Sequence, residues 1–150
     1  MKITICGSIF FSHELINIAE KLKKLGHETE LPLTTLKIKA GELTLDEYKK
    51  EKEASGDGSF RKMHDNVIKR YYNLIRESDA ILVCNFTKNE IKNYIGGNTF
   101  LEIGFAHVLD KKIFLLNGLP EMHYSDEIKA MQPIVISGDL SRIALSHSGE

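Results

Sequence analysis

The stretch Lys2-Ile3-Thr4-Ile5-Cys6-Gly7-Ser8 decides the fold, because a short apolar strand runs into glycine and serine and then into a helical repeat. Leu15, Ile18, Leu22 and Leu25 recur at the spacing that lines one face of an α-helix. Ser12 stands where it would cap that helix and Glu14 falls in its first turn. Lys21, Lys23 and Lys24 crowd its end, and Gly26 offers a left-handed stop. His27 to Leu31 reads as a second strand closed by Pro32. Strand, helix and strand in that order predict a right-handed βαβ unit in a parallel sheet.

Downstream the alternation continues. Phe60 to Glu77 reads as a long helix whose apolar face holds Met63, Val67, Ile68, Tyr71, Leu74 and Ile75. Ala80 to Cys84 is the most apolar strand, followed by a polar loop from Asn85 to Asn98 and a helix with Leu101, Phe105, Val108 and Leu109 inward. Lys112 to Leu116 predicts another buried strand. A loop through Pro120, a short helix near Ser125 to Met131, a strand Ile134 to Ile136 and a helical turn from Leu140 complete the pattern. These signals predict one α/β domain over residues 1–150, a doubly wound parallel five-stranded sheet in flavodoxin-like or Rossmann-like order. Periodicity does not choose between the two orders. Residues 33–59 fit the alternation least. A charged helix from about Thr44 to Ala54, opened by a Thr44-x-x-Glu47 capping box, is followed by Ser55-Gly56-Asp57-Gly58-Ser59. The segment reads as an excursion over the site, either a plain surface insertion or a lid.

The 150 residues carry 20 Lys plus Arg against 21 Asp plus Glu, a formal charge of -1, so no chain-wide basic field draws the protein to nucleic acid or anionic lipid. No apolar run of about 18 residues predicts a membrane span. Met1 to Cys6 reads as a strand rather than a signal peptide, which makes cytoplasm the expected location. Cys6 and Cys84 each close an apolar run and are expected as buried, reduced thiols. His13, His27, His107, His123 and His147 are scattered, without metal-ligand spacing, so neither a metal nor a cofactor is expected. Met122, Met131 and Phe114 read as packing, and Asp79 as a cap or loop anchor.

The chemistry points to Gly96-Gly97-Asn98-Thr99-Phe100-Leu101-Glu102-Ile103-Gly104, where two glycines deliver the chain into a helix whose first turn is expected to hold a carboxylate. Following a strand by one loop, Glu102 belongs at the carboxyl end of a parallel sheet, where open α/β sheets bind ligands. Backbone N–H groups at the helix start favour an acid there. Thr99-x-x-Glu102 equally fits a capping box, in which the carboxylate only reaches back to its own helix. Gly7-Ser8 is either a tight turn or a loop that lets a ligand approach the backbone. It has neither the Gly-Lys-[Ser/Thr] ending of a phosphate loop nor a Gly-x-Gly-x-x-Gly fingerprint. Asn117 and Gly118 lie where they reach the pocket or form a turn.

Three segments in order resemble the nucleoside 2-deoxyribosyltransferase superfamily, including its branch of 2-deoxynucleoside monophosphate N-glycosidases. They are Ile5-Cys6-Gly7-Ser8-Ile9, Ser78-Asp79-Ala80-Ile81-Leu82-Val83, and Gly97 to Ala106 followed by Lys111 to Leu116. The resemblance implies that Glu102 is the catalytic glutamate, and that Asp65, preceded by His64, is the helix aspartate that helps hold a substrate. It implies a nucleoside or nucleotide as ligand, with Cys6, Gly7, Ser8, Ile9 and Phe10 on the sugar or phosphate side. His64, Tyr94, Gly96, Gly97, Asn98 and Thr99 join the substrate-binding set, and a homodimer or larger homo-oligomer is implied. Phe10 and Phe11 stand where the monophosphate branch shows an arginine and glycines, removing an obvious phosphate partner. Gly96 and Gly97 replace an acidic pair of the transferase branch, while Asn93, Tyr94 and Asn98 offer amides and a ring to a base. The expected reaction is cleavage of an N-glycosidic bond through a glycosyl-Glu102 ester, as N-glycosidase or deoxyribosyltransferase. The alternatives are a phosphoribohydrolase of the cytokinin-activating type and a nucleotide-binding module without turnover.

Overall fold

In β1 (Lys2–Cys6), Ile3 and Ile5 face one side of the sheet and Cys6 the other, so one strand feeds two cores. The same alternation puts Leu82 and Ile81 of β3 (Ala80–Val83), and Phe114 and Ile113 of β4 (Lys112–Leu115), on opposite faces. Strands buried on both faces read as continuous apolar runs, which is what parallel sheets require. The structure, a computed structural model, describes residues 1–56, 58, 62–63 and 66–148. With β2 (Glu28–Glu30) and β5 (Ile134–Val135), the described strands form an all-parallel sheet of order β2-β1-β3-β4-β5. This is the flavodoxin-like order that periodicity left open.

One face is covered by α1 (Ser12–Lys24), whose Leu15, Ile18 and Leu22 meet Ile3, Ile5 and Leu82, and by Ile143 of α7 (Ser141–Ser148). The other carries α4 (Val67–Arg76), α5 (Gly97–Val108) and α6 (Ser125–Ala130), through Tyr71 and Ile75, Ile103 and Ala106, and Ile128. Full burial of each such aliphatic side chain contributes roughly 1.5–3 kcal/mol. The predicted stop of α1 forms at Gly26, whose φ is 94°. The Gly26 and His27 amides return to the Lys23 and Leu22 carbonyls at 3.0 and 3.1 Å. Asp79 anchors the start of β1 by accepting from the Lys2 amide at 2.7 Å.

Several expectations are corrected. Ser12 is the first residue of α1 rather than its cap, because a 3-10 turn over Ile9–Phe11 precedes it. Its hydroxyl donates to the Ile9 carbonyl at 2.6 Å and meets the Thr35 hydroxyl at 2.9 Å. The excursion holds an unforeseen helix, α2 (Leu33–Lys39), beside the expected α3 (Leu45–Ala54) with its Thr44–Glu47 capping box. The β-branched residues of α2 hid it, and burial of Thr35 and Ile38 overrides that weak propensity. The long helix expected from Phe60 is not continuous. Asn66 takes a left-handed φ of 50° and α4 starts behind it, while Met63 is 71% exposed and shares no buried face with Tyr71. In α5 the inward line is Thr99, Ile103 and Ala106, leaving Leu101 and Val108 exposed. Apolar residues on nearly every side of this helix made its phase ambiguous.

The loops after β3 and β4 are tied by Asn85, which is buried. Its side-chain amide donates to the Gly118 and Asn117 carbonyls at 2.9 and 3.2 Å, and its carbonyl oxygen accepts from the Asn117 amide at 2.9 Å. Asn117 answers by donating from its own side chain to the Asn85 carbonyl at 3.2 Å. Asn117 and Gly118 are therefore turn residues fixed to the neighbouring loop. Replacing Asn85 by alanine strands these groups, so Asn85→Ala is expected to lower the unfolding free energy by about 2–3 kcal/mol in a urea titration.

Candidate active site

The chain reverses direction across the sheet between β1 and β3, and the loops that follow these strands diverge there. A crevice opens at such a point in an open α/β sheet. Here it is a cavity of about 400 Å³, lined by Gly7, Ser8 and Ile9 after β1, by Cys84, Phe86, Lys88 and Tyr94 after β3, and by Gly96 to Thr99 and Glu102 at the start of α5. Tyr71 of α4 and Tyr48 and Lys52 of α3 close its other sides. Glycine is required after β1. A Cβ on Gly7 would stand 3.2 Å from the Cys84 carbonyl oxygen and 3.3 Å from Leu15 of α1, closer than ordinary contact, so a side chain there needs the β3 loop or the Leu15 side chain to give way by a few tenths of an ångström.

Glu102 is in the second turn of α5, not the first, because the helix begins at Gly97 with Gly96 as an N-cap that offers no side chain. Thr99 is thus already helical and buried, and the capping box it might have formed with Glu102 does not exist. The carboxyl group lines the cavity and meets the thiol of Cys6 at the end of β1. Burial pushes its pKa up to about 8, against a smaller downward pull from the Cys6 hydrogen bond. Burial, and then the nearby Glu102 charge, hold Cys6 well above the usual thiol range, so it remains a protonated donor. Tyr71 packs beside the pair and donates its hydroxyl to the Ile5 carbonyl. Cys84 is likewise a free buried thiol, raised by burial.

The structure brings most of the sequence-derived set together. Gly7, Ser8, Ile9, Tyr94, Gly96, Gly97, Asn98, Thr99 and Glu102 all line the cavity. Tyr94 lies over Gly96, where an added Cβ would be 3.2 Å from its ring, so the second glycine-rich turn is shaped by that aromatic. Cys6 stands behind the wall, fully buried beneath Glu102 rather than on the surface of the cavity. Phe10 is outside the lining, with its ring edge-on to Tyr48 at 6.1 Å. Asn93 does not line the cavity; its carbonyl takes the Asn85 amide at 3.5 Å. His64 and Asp65 lie outside the described residues.

Sequence reasoning missed Lys88, Lys52, Tyr48 and Phe11. Tyr48 and Lys52 share a helix face at a spacing of four, a signal that was available. Lys88, in a polar loop closed by an isolated Lys88–Ile91 bridge, offered none. Among the described residues, no cluster of His, Cys, Asp and Glu could hold a metal ion, and no helix is long and apolar enough to cross a membrane.

Fold and site together define an open α/β protein with a desolvated acid in its switch-point crevice. No protein-family model matches the chain, and no curated protein matches it. Among solved structures, it is similar to the Clostridium botulinum CMP N-glycosidase BcmB. The TM-score is 0.52 and the identity 16%, over 97% of this chain and 99% of that one. At this identity the likeness establishes the shared fold.

The raised Glu102 pKa makes a stability prediction. Folded Glu102 keeps a proton that the unfolded chain releases in the ordinary carboxylate range, so folding stability falls as pH rises from about 5 towards 8. A Glu102→Gln protein escapes this cost. It is expected to match the wild type near pH 5 and to gain on it steadily as pH rises towards 8.5, read as a growing difference in Tm from paired thermal melts.

Proposed function

We propose that this protein is an N-glycosidase that releases the base from a nucleoside or nucleotide, with Glu102 as the nucleophile. The observation that carries this reading is the partly buried carboxyl group of Glu102, which lines the cavity at the sheet's switch point and whose pKa is raised by burial. The shared architecture with a CMP N-glycosidase supports it as an analogy of fold.

An N-glycosidic bond breaks through a sugar cation centred on C1. In a water-poor cavity an ionised carboxylate stabilises that cation far more than it would in water. Glu102 Oε then bonds to C1 as the C–N electron pair leaves with the base, which takes up a proton. Water attacks C1 of the resulting ester and gives up a proton, which replaces the one taken by the base; the C1–O bond to Glu102 breaks, and the free sugar departs as the carboxylate is restored. If a second base replaces water, the same intermediate makes the protein a deoxyribosyltransferase. Tyr94, at the rim next to Gly96, offers a ring to the base and a hydroxyl to its polar edge.

The carboxylate is the reactive form, so acidity governs the rate. In the free protein the burial that raises the Glu102 pKa to about 8 keeps the protonated form dominant at neutral pH. The expected profile of kcat/KM therefore rises with unit slope towards pH 8 and then levels.

The direct test is a panel of nucleosides and nucleoside 5'-monophosphates, ribo and deoxy, incubated with and without an acceptor base and assayed chromatographically for free base. Glu102→Ala should lose on the order of thousands-fold in release. A variant that hydrolyses the wild type's own substrate at full rate overturns the assignment. Tight nucleotide binding without any released base would make the protein a binding module instead.

A further inference from the structure

The nucleophile of the proposed reaction rests on a thiol that the reaction itself does not consume. Cys6 is the last residue of β1 and fully buried, and its carbonyl accepts from the Cys84 amide at 2.8 Å, so its backbone is fixed between two strands. Glu102 reaches the same point from α5, on a side chain with several rotatable bonds. The Cys6 Sγ–H donates to its carboxyl group.

The other groups around Glu102 are engaged elsewhere. Tyr71 of α4 commits its proton to the Ile5 carbonyl. Cys84 belongs to the core on the opposite face of the sheet from Cys6. Lys52 and Lys88 gather over the Phe10 ring, 4.6 and 4.0 Å from its centroid, and Tyr48, Lys62, Arg70 and Tyr94 complete the ionisable lining of the cavity. Among the described residues, none of these cations forms an ion pair with Glu102. The carboxyl group therefore takes its direction from the thiol. A thiol is a weak donor, so it holds a carboxylate without quenching it as an ammonium or guanidinium would.

We infer that Cys6 is a positioning residue, its thiol at the end of β1 aiming the Glu102 carboxylate at the reacting carbon. The inference rests on the N-glycosidase reading for the reacting carbon and on the contact between β1 and α5 for the aim. The thiol proton has a second acceptor in reach, the Thr4 carbonyl at 4.0 Å from Sγ. It turns from that carbonyl to the carboxylate as Glu102 ionises, so the hold is firmest on the form that reacts. No bond to sulfur is made, and the proton stays on Cys6 throughout.

Three substitutions separate aim from packing. Cys6→Val removes the donor and keeps the space filled, Cys6→Ala removes both, and Cys6→Ser returns a stronger donor; a thermal melt of each verifies folding. One readout needs no turnover. The Glu102 carboxyl carbon, assigned by its loss in Glu102→Gln, is followed by NMR through a pH titration. Its midpoint should move to higher pH in Cys6→Val and to lower pH in Cys6→Ser, because a donor stabilises the ionised form. In the wild type, the infrared S–H stretching band should fall in frequency as Glu102 ionises, and should stay still in Glu102→Gln. The rising limb of the pH profile for base release should follow the NMR midpoints. On its plateau, Cys6→Val should lose about 10–100-fold in kcat with KM little changed, and Cys6→Ser should recover most of that loss. The same Glu102 midpoint in all the Cys6 variants overturns the inference. So does a fall in rate with an unmoved pH profile, which makes Cys6 a packing residue. Shifted midpoints with no base released from any substrate keep the thiol contact but sink the glycosidase reading and the aim drawn from it. Base release at full rate by Cys6→Val sinks the aim and leaves the glycosidase reading.

Discussion

A partly buried carboxyl group whose ionised form is disfavoured by its surroundings is the constraint on which this molecule turns. Glu102 is flanked by the loops after β1 and β3 and by Tyr71 of α4, and it contacts a thiol instead of a cation. Hydrophobic burial elsewhere in the sheet carries the energy that tolerates such a group, since two full apolar cores flank the strands that end beside it. A lysine or arginine partner would have stabilised the charge and quenched its reactivity. A thiol that stays protonated orients the carboxyl group while contributing little to its neutralisation.

The position of this acid follows from topology rather than from local preference. Parallel strands with connections running to opposite sides must part company somewhere, and the gap lies between β1 and β3. Glycine at position 7 lets backbones approach at the floor of the gap, and glycine at 96 lets Tyr94 fold over its rim. The Asn85 cluster ties the β3 loop to the β4 loop, so the far wall is rigid. The near wall, by contrast, is built from the excursion, anchored through Thr35 on Ser12 and through Lys39 on Glu20 at 3.1 Å.

Most of the sheet was legible in the sequence because its strands are short apolar runs bounded by loops with strong signals. Lys2–Cys6 and Ala80–Val83 alternate between two buried faces, so nothing else could accommodate them. The glycine-rich entry to α5 and its glutamate were legible for the same reason. What escaped was decided by tertiary contact. The left-handed turn at Asn66 broke a helix whose apolar repeat looked unbroken, and α2 formed against its propensity because α1 offered Thr35 and Ile38 a place to bury. Lys88 escaped entirely, since a charged residue in a polar loop carries no sign of what it will stand above. The resemblance to deoxyribosyltransferases located the acid, whereas the lysines around Phe10 belong to geometry alone.

One outer strand of the sheet, β2, reads Glu28-Thr29-Glu30 and leaves one side of its ladder unpaired. An exposed ladder invites a second molecule to add a strand. Two carboxylates on so short a segment make that addition costly, since a copy of the same strand would bring like charges face to face. The edge is thereby protected from runaway association, and crowding of many copies need not end in fibrils.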